Sequence, residues 1–348
     1  MPIATVVQVR DLIQAARDGG YAYPAINVSS SETLNAAVRG FIEAKSDGIV
    51  QISTGGGTFL SGVAGDMAVG ARALADYARV VVADVPLLIW LNTDHCPPDK
   101  LDGFLRPLLA ESCRRVEAGD EPLFQSHMFD GSSLPLDENL RMAEGLLAEV
   151  AAIDVVLEVE CGVVGGEEDG VSNADAPREM LYTTPRDLLR VAKRLGIGER
   201  GRYLLAATFG NVHGVYKPGG VALRPGVLRA GQDALASAYG AEAHFDYVFH
   251  GGSGSTAEEI AEAVSHGVVK MNLDTDLQYA YTSAVADHML SRYRGVLKVD
   301  GDVGNKKDYD PRVWGAAAET SMAARVAEAC AVLGSAGRSL LRGPQVTE

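Results

Sequence analysis

The chain has 348 residues, 47% of them hydrophobic, which is enough for one large domain or two ordinary ones. Its formal net charge is −15 and it has no basic block, which argues against a surface for nucleic acid or other polyanions. The N-terminus lacks a secretory pattern, no apolar run approaches the ~18 residues of a membrane span, and the four cysteines show no close pairing, so we expect a cytoplasmic protein with no membrane partner.

Strand-like and helix-like segments alternate along the chain. After an amphipathic helix at residues 5–18, the predicted strands are 22–28, 48–53, 87–95, 122–130, 154–162, 203–212, 245–250 and 267–274. The predicted helices that follow them are 31–45, 66–83, 100–118, 137–151, 185–195, 225–239, 256–266 and about 276–291. Eight nearly continuous apolar strands, each followed by a helix, predict an α/β fold of the TIM-barrel type, a parallel (β/α)8 barrel.

No change in composition marks a second domain, so residues 1–348 are interpreted as one barrel. A tail from about residue 295 to 348 carries another helical pattern at 314–333, which we expect to pack on the barrel or on a partner subunit. Two connections after strands are long, at residues 163–184 and 214–224, and long loops on that face are usually lids or binding loops.

Active sites of this fold lie at the carboxyl ends of the strands. Polar residues collect there in this chain, and they are Asn27, Ser53, Asp94, His95, His127, Asp130, Glu158, Glu160, Asn211, His213, His250, Asn272 and Asp274. Solvation of strand ends explains some of this polarity. It does not explain why three histidines end strands of the same barrel.

His95, His213 and His250 are the best candidate metal ligands, since three imidazoles leave coordination positions open as a catalytic zinc requires. A structural role is the alternative for any single histidine. The acids on the fourth and fifth strands, Asp130, Glu158 and Glu160, are candidate orienting groups or an alternate metal position.

The turn from Phe249 to Ser255 joins a buried strand to a helix and contains three glycines. Such a turn lets backbone amides approach an anion closely, which predicts a phosphate site beside His250. Other phosphate candidates are the Gly214 region, Ser53 with the glycines after it, and residues 272–275 including Thr275. Arg312 is an added cationic candidate, with a surface ion pair as its alternative.

Two carboxylates are candidates for proton transfer. Asp94 immediately precedes His95 and suits exchange of a proton with a substrate oxygen, although it could instead only orient an imidazole. The second is Glu167 or Glu168, which lie between glycines in the first long loop, and a closing lid could deliver this carboxylate to a carbon-bound proton. Solvated surface is the alternative for this acidic loop.

Lys270 lies in phase with Asn272 on the eighth predicted strand, so its side chain should point into the barrel. An inward lysine could form a Schiff base with a ketone substrate. It could instead pair with Glu158, which is the commoner situation for a buried lysine.

Together these stretches resemble the class II, metal-dependent fructose-bisphosphate aldolases of the longer type. The motifs that carry the resemblance run in order over nearly the whole chain. They include Thr93-Asp94-His95-Cys96, Glu158-Val159-Glu160, Gly165-Gly166-Glu167-Glu168-Asp169-Gly170, Asn211-Val212-His213-Gly214, Phe249-His250-Gly251-Gly252-Ser253-Gly254-Ser255, Lys270-Met271-Asn272 and Tyr309-Asp310-Pro311-Arg312.

The resemblance implies reversible cleavage of fructose 1,6-bisphosphate to dihydroxyacetone phosphate and glyceraldehyde 3-phosphate, a step of glycolysis and gluconeogenesis, by a homo-oligomer. It implies zinc on His95, His213 and His250, with Asp130 and Glu160 lining a neighbouring metal position, and it assigns the proton transfers to Asp94 and Glu168. The implied triose phosphate contacts are Gly214, Gly251, Ser253, Asn272, Asp274 and Thr275. The remaining substrate contacts are Asn27, Ser53 and a neighbouring subunit's Arg312, and the implied activating monovalent cation (Na⁺ or K⁺) lies at Val212, Gly214, Gly251 and Ser253.

The chain departs from the family at Asn92, where members usually carry histidine. Asparagine keeps hydrogen bonding but cannot become cationic, which leaves open how Asp94 is tuned. Two alternatives follow: the same chemistry on tagatose or sedoheptulose bisphosphate, or a non-catalytic barrel that binds metal and phosphate.

Overall fold

Eight parallel strands close into a barrel in the computed structural model, which describes residues 2–168, 171–172, 181–213, 222–252 and 254–341. The barrel strands are β1 (Tyr23–Asn27), β2 (Gly48–Ser53), β3 (Ile89–Cys96), β4 (Ser126–Phe129), β5 (Val156–Cys161), β8 (Tyr203–Ala207), β10 (Tyr247–Phe249) and β11 (Val268–Leu273). Each strand pairs with its neighbours in chain order, and β1 pairs with β11 to close the circle. This closed parallel sheet confirms the predicted (β/α)8 barrel. Its strands are buried on both faces, as is typical of parallel sheets that helices cover.

The main helices lie where the periodicity predicts them. They are α1 (Val6–Gly19), α2 (Ser31–Ala44), α4 (Met67–Val81), α5 (Leu105–Glu117), α6 (Leu136–Ala151), α7 (Pro185–Leu195), α8 (Gly226–Tyr239), α9 (Ala257–Ser265), α10 (Thr275–Ser291) and α13 (Pro311–Val332). Four of them, α1, α2, α7 and α9, begin with a capping box that satisfies their first free amides. Among the described residues, no helix has both the length and the apolar character to cross a membrane.

Short elements complete the chain: α3 (Thr54–Leu60), α11 (Tyr293–Val296), α12 (Lys306–Tyr309), β6 (Gly165–Glu168), β7 (Val171–Ser172) and β9 (Val212–His213). Helix α3 was missed from the sequence because its run of three glycines is typical of a turn. The Ser53 side chain accepts a hydrogen bond from Gly56 N and caps this helix.

The sixth predicted strand, 203–212, was too long. Strand β8 ends at Ala207 because the chain turns at Gly210, whose φ of +94° interrupts an extended conformation. Residues Val212–His213 then form β9, which pairs with Gly165–Gly166 in a separate three-stranded sheet of β7, β6 and β9. His213 therefore belongs to this small sheet and not to a barrel strand.

Helix α13, from the C-terminal tail, packs against α2 and α10. Its contact with α2 depends on Gly40, because a Cβ at that position would lie 2.5 Å from Val326 Cβ. A side chain at this point would push the two helices apart.

Candidate metal centre and active site

The side chains of His95, Glu160 and His250 converge at the carboxyl end of the barrel, with potential ligand atoms all within 4.8 Å of one another. His95 lies near the end of β3, Glu160 near the end of β5, and His250 directly after β10. The structure thus brings together two of the predicted metal histidines and one of the two predicted acids. Two imidazoles and a carboxylate are a donor set that suits zinc.

His95 reaches this cluster through an irregularity in β3. Relative to β4, strand β3 contains one extra residue between Thr93 and Cys96. His95 has a φ of +36°, which non-glycine residues rarely adopt. Strict alternation would turn Asp94 and His95 to opposite faces of the sheet. The bulge instead places His95 Nδ1 at 3.9 Å from Glu160 Oε2.

His250 is fully buried between two carboxylates. Its Nε2 lies 2.8 Å from Glu158 Oε1 and its Nδ1 lies 3.1 Å from Glu160 Oε2. Burial alone would lower the pKa of His250, but hydrogen bonds to both carboxylates outweigh it and raise this pKa to about 9. The two carboxylates thus favour the protonated form of His250, so binding of a metal ion by this ring would be coupled to release of a proton.

The two buried acids of β5 differ in their surroundings. Burial would raise the pKa of Glu158, but Lys270 and His250 outweigh burial and lower it to about 2. Burial does raise the pKa of Glu160, and the nearby charge of Asp130 adds to this effect. Glu160 is thus the carboxylate whose negative charge is least compensated, and a cation beside it would offset that cost.

Asp130 lies against His95, with Oδ2 at 3.1 Å from His95 Nδ1. Its other oxygen accepts hydrogen bonds from Ser132 N and Ser132 Oγ. Burial would raise the pKa of Asp130, yet His95 and Ser132 together hold it below its ordinary value. Asp130 is thus positioned to orient the His95 ring.

Lys270 is fully buried and paired. Its Nζ donates to Glu158 Oε2 at 2.7 Å and to Asn272 Oδ1 at 2.6 Å. The pairing alternative for this lysine is therefore the one that the structure contains. Its ammonium neutralises Glu158 and orients the amide of Asn272.

Asp94 lies in the barrel lumen and is 1% exposed. Asn27 Nδ2 donates to its Oδ2 at 2.8 Å, and Asn272 Nδ2 donates to its Oδ1 at 3.0 Å. Both donors are neutral amides. They hold the Asp94 carboxylate in one orientation, next in the chain to the candidate metal ligand His95.

A cavity of about 750 Å³ opens beside Asn27, between α2, α10 and α13. Its lining includes the predicted substrate residues Asn27, Ser53 and Asp274, and also this chain's own Arg312, whereas the prediction assigned the Arg312 of a neighbouring subunit to the substrate. Arg312 pairs with Asp310 at 2.6 Å and its side chain is 87% exposed, so the guanidinium lies at the rim. Asn27 belongs to both the cavity and the Asp94 contacts, and it therefore links the two.

The other predicted residues are described only in part. Asn272 lies in β11, Thr275 begins α10, and Val212 N donates to Gly251 O at 3.3 Å, which brings together two of the residues predicted for a monovalent cation. The backbones of Glu168 and His213 lie in β6 and β9, but their side chains lie outside the described part of the structure, as do Gly214 and Ser253 entirely.

Several positioning residues were missed from the sequence. Gln51 and Ser126 lie in the lumen below the site, and Asn139 Nδ2 donates to Glu160 O at 2.8 Å. Asn211 Nδ2 donates to His250 O at 2.8 Å and ties this turn to the chain before β9. Gln51 was detectable, since it lies two residues before Ser53 and is the polar centre of an apolar strand.

Comparisons with known proteins agree with this geometry. The profile of the family described as "Fructose-bisphosphate aldolase class-II" matches residues 7–338. A protein of Streptomyces galbus named fructose-bisphosphate aldolase is 60% identical, in an alignment that covers 98% of this chain and 100% of that protein. A protein of the same name from Mycobacterium tuberculosis H37Rv is 56% identical over 98% of this chain and 99% of its own length.

Structural similarity agrees with the sequence relationship. A fructose-bisphosphate aldolase crystal structure from Campylobacter jejuni superposes with a TM-score of 0.83 at 34% identity and covers 96% of both chains. The similarity in sequence and fold thus extends over nearly the full length of this chain and of these relatives. The chain belongs to the class-II fructose-bisphosphate aldolase family.

Proposed function

We propose that this protein cleaves fructose 1,6-bisphosphate reversibly to dihydroxyacetone phosphate and glyceraldehyde 3-phosphate, as a zinc-dependent enzyme. The observation that carries the proposal is the cluster of His95, Glu160 and His250 beside a buried Asp94, in a chain that matches the aldolase family over residues 7–338. When bound, zinc supplies a Lewis acid for the negative charge of the enediolate. The proposed zinc ligands are His95, His213 and His250, and Asp130 and Glu160 line a neighbouring position that the metal can occupy.

Asp94 is the proposed acid and base at the substrate oxygen. During cleavage it accepts the proton of the C4 hydroxyl while the C3–C4 bond breaks, and the electron pair of that bond remains on C3. During condensation it returns the proton to the aldehyde oxygen. The amides of Asn27 and Asn272 hold both of its oxygens in place for this transfer.

Glu168 is the proposed acid and base at carbon. It protonates C3 of the enediolate to give dihydroxyacetone phosphate, and it removes that proton in the reverse direction. Its backbone pairs with Val171 in the small sheet next to the site. A loop that covers the site would exclude water from a proton transfer to carbon.

The phosphates are assigned to two places. Gly214, Gly251, Ser253, Asn272, Asp274 and Thr275 are the proposed contacts for the triose phosphate half. The large cavity, with Asn27 and Ser53, suits the other half of the substrate, and Arg312 of a neighbouring subunit is the proposed cation there. We further propose a monovalent cation at Val212, Gly214, Gly251 and Ser253, a dimer or tetramer, and a glycolytic role in the cytoplasm.

The test is cleavage of fructose 1,6-bisphosphate before and after chelation, with zinc add-back and a parallel borohydride trap. We expect chelation to abolish activity, zinc to restore it, and borohydride to have no effect. His250→Ala should lose both metal and activity, whereas His244→Ala, which alters an exposed histidine away from the cluster, should change neither. Asp94→Asn should retain the metal and lose about 10²–10⁴-fold in kcat.

Three outcomes would contradict parts of the proposal. Activity that survives chelation but is lost with borohydride would move the chemistry to Lys270. A higher kcat/KM for tagatose 1,6-bisphosphate or sedoheptulose 1,7-bisphosphate would replace the substrate. Absence of cleavage for all three substrates, with zinc bound, would favour a binding protein.

A further inference from the structure

A chain of buried hydrogen bonds runs through the barrel lumen from Trp90 to Asp94. Trp90 Nε1 lies 2.6 Å from Ser126 Oγ, and Ser126 Oγ lies 2.5 Å from Asn92 Oδ1. Asn92 Nδ2 then contacts Gln51 Oε1 at 3.0 Å. Gln51 Nε2 bonds to Asn27 Oδ1, and Asn27 Nδ2 bonds to Asp94 Oδ2 at 2.8 Å.

The direction of every bond in this chain follows from its two ends. An indole N–H only donates, so Ser126 Oγ accepts from Trp90 and gives its own hydrogen to Asn92 Oδ1. The amide of Asn92 must then present its NH₂ to Gln51, and Gln51 must present its NH₂ to Asn27. At the far end the carboxylate of Asp94 only accepts. No amide in the series can turn over without leaving two acceptors or two donors facing each other.

Burial makes such a reversal costly. Gln51, Asn92 and Ser126 are all 0% exposed, so water cannot replace a lost partner. Dipoles aligned head to tail also polarise one another in a medium of low dielectric. The series therefore transmits one orientation from Trp90 to the amide that holds Asp94.

We propose that Asn92 is a positioning residue for Asp94, acting through Gln51 and Asn27. The hydrogen bonds from Trp90 to Ser126 and from Ser126 to Asn92 fix the orientation of the Asn92 amide. This inference rests on the proposed function, in which Asp94 transfers the proton of the cleaved hydroxyl. Asparagine suits the position because it accepts at one end, donates at the other and keeps a neutral charge. The residue that departs from the usual family histidine thus retains a defined role here.

The test separates two partial reactions. Hydrogen exchange of dihydroxyacetone phosphate with D₂O, without aldehyde, uses the proposed carbon base and the metal but not Asp94. Cleavage of fructose 1,6-bisphosphate uses Asp94 as well. For Asn92→Leu we expect kcat for cleavage to fall about 10- to 100-fold, with KM within about twofold and with exchange and metal content unchanged.

Two further variants keep the test independent of folding. Ser126→Ala removes only the two hydrogen bonds that fix the Asn92 amide. It should lower the ratio of cleavage to exchange by a smaller factor than Asn92→Leu does. Asn92→His can still accept from Ser126 and donate to Gln51, so it should restore most of the ratio. The matched control is Thr93→Val, which removes a hydrogen bond to His127 that is equally buried but lies on the other face of the same strand.

The outcomes are distinct. A ratio of cleavage to exchange that falls in Asn92→Leu and not in Thr93→Val supports the positioning role. An unchanged ratio, or an equal fall in both reactions, overturns it while the aldolase function stands. A wild-type protein with neither reaction overturns both proposals.

Discussion

The two halves of the barrel lumen differ in the polarity of their side chains. The amino-terminal half is apolar, and helix α1 closes it by packing Val9, Leu12, Ile13 and Ala16 onto Tyr23, Ala25, Ile49, Trp90, Val156, Leu204 and Val248. The carboxyl half is polar and linked by hydrogen bonds, and it contains Asn27, Gln51, Asn92, Asp94, Ser126, Glu158, His250, Lys270 and Asn272. Trp90 belongs to both halves, because its ring packs in the apolar cluster while its Nε1–H donates to Ser126 Oγ in the polar half.

This difference confines the candidate chemistry to the carboxyl half of the lumen. The apolar half stabilises the fold by burial of apolar surface, and it forms a region of low dielectric constant beneath the polar half. Above such a region each hydrogen bond and ion pair is stronger, and each unpaired charge is more costly. Changes in the carboxyl half should therefore alter activity together with stability, whereas changes in the amino-terminal half should alter stability alone.

Lys270→Met should produce the largest effect. It removes the ammonium that neutralises Glu158 and orients Asn272, so a buried carboxylate loses its main compensating charge. We expect the free energy of unfolding to fall by about 3–5 kcal/mol, measured by urea denaturation, and cleavage activity to be lost. In the double variant Lys270→Met/Glu158→Gln, most of the stability should return. A single variant as stable as the wild type would show that the pair carries no such charge balance.

Leu12→Ala tests the apolar half. Leu12 is 1% exposed between α1 and the barrel floor, and its truncation leaves a cavity. The free energy of unfolding should fall by about 2–5 kcal/mol, with kcat/KM of the folded enzyme within about twofold. Val7→Ala on the exposed side of the same helix is the control and should change stability by less than about 0.5 kcal/mol. A large loss of kcat in Leu12→Ala would contradict the separation of the two halves.

His127 extends the comparison to the outer face of the barrel wall. It is fully buried with no charged partner among the described residues, bonds to Thr93 Oγ1 at 2.9 Å, and burial lowers its pKa from 6.5 to about 3. Below pH 6.5 the unfolded chain binds a proton that the folded chain does not, so stability is lost as the pH falls from 6.5 towards 3. Between pH 7.5 and 5 this loss should be roughly 2 kcal/mol.

The measurement compares urea unfolding of the wild type and of His127→Gln at both pH values. Glutamine does not titrate, so the variant should lose less stability than the wild type over this interval. Equal losses in the two proteins would show that His127 is not the group responsible.

Much of the barrel was predictable from local patterns. The predicted starts of β2 and β8 match the observed ones, and helix α7 matches at both ends, because apolar runs and capping residues act over a few neighbouring positions. The inward phase of Lys270 with Asn272 also followed from alternation. The end of β8 did not, because an apolar run alone does not reveal the turn at Gly210.

The candidate residues could be named from the sequence, but their arrangement could not. Asp94, His95, Glu160 and His250 were all identified, since polar residues at the carboxyl ends of strands share one face of the barrel. Alternation alone would have separated Asp94 from His95, and only the bulge in β3 brings both to the lumen side. The sequence identified Asn27, Ser53 and Asp274, which line the cavity, but not that α2, α10 and α13 enclose it, because these helices lie far apart in the chain.

The sequence by itself determined the order of strands and helices, the polar strand ends and the membership of the family. The tertiary structure decided which polar groups meet: Lys270 with Glu158, His250 between two carboxylates, and the series from Trp90 to Asp94. The physical reason is the range of the interactions. Periodicity and capping depend on neighbours a few residues apart, whereas these partners lie on different strands and meet only when the barrel closes and sets their register.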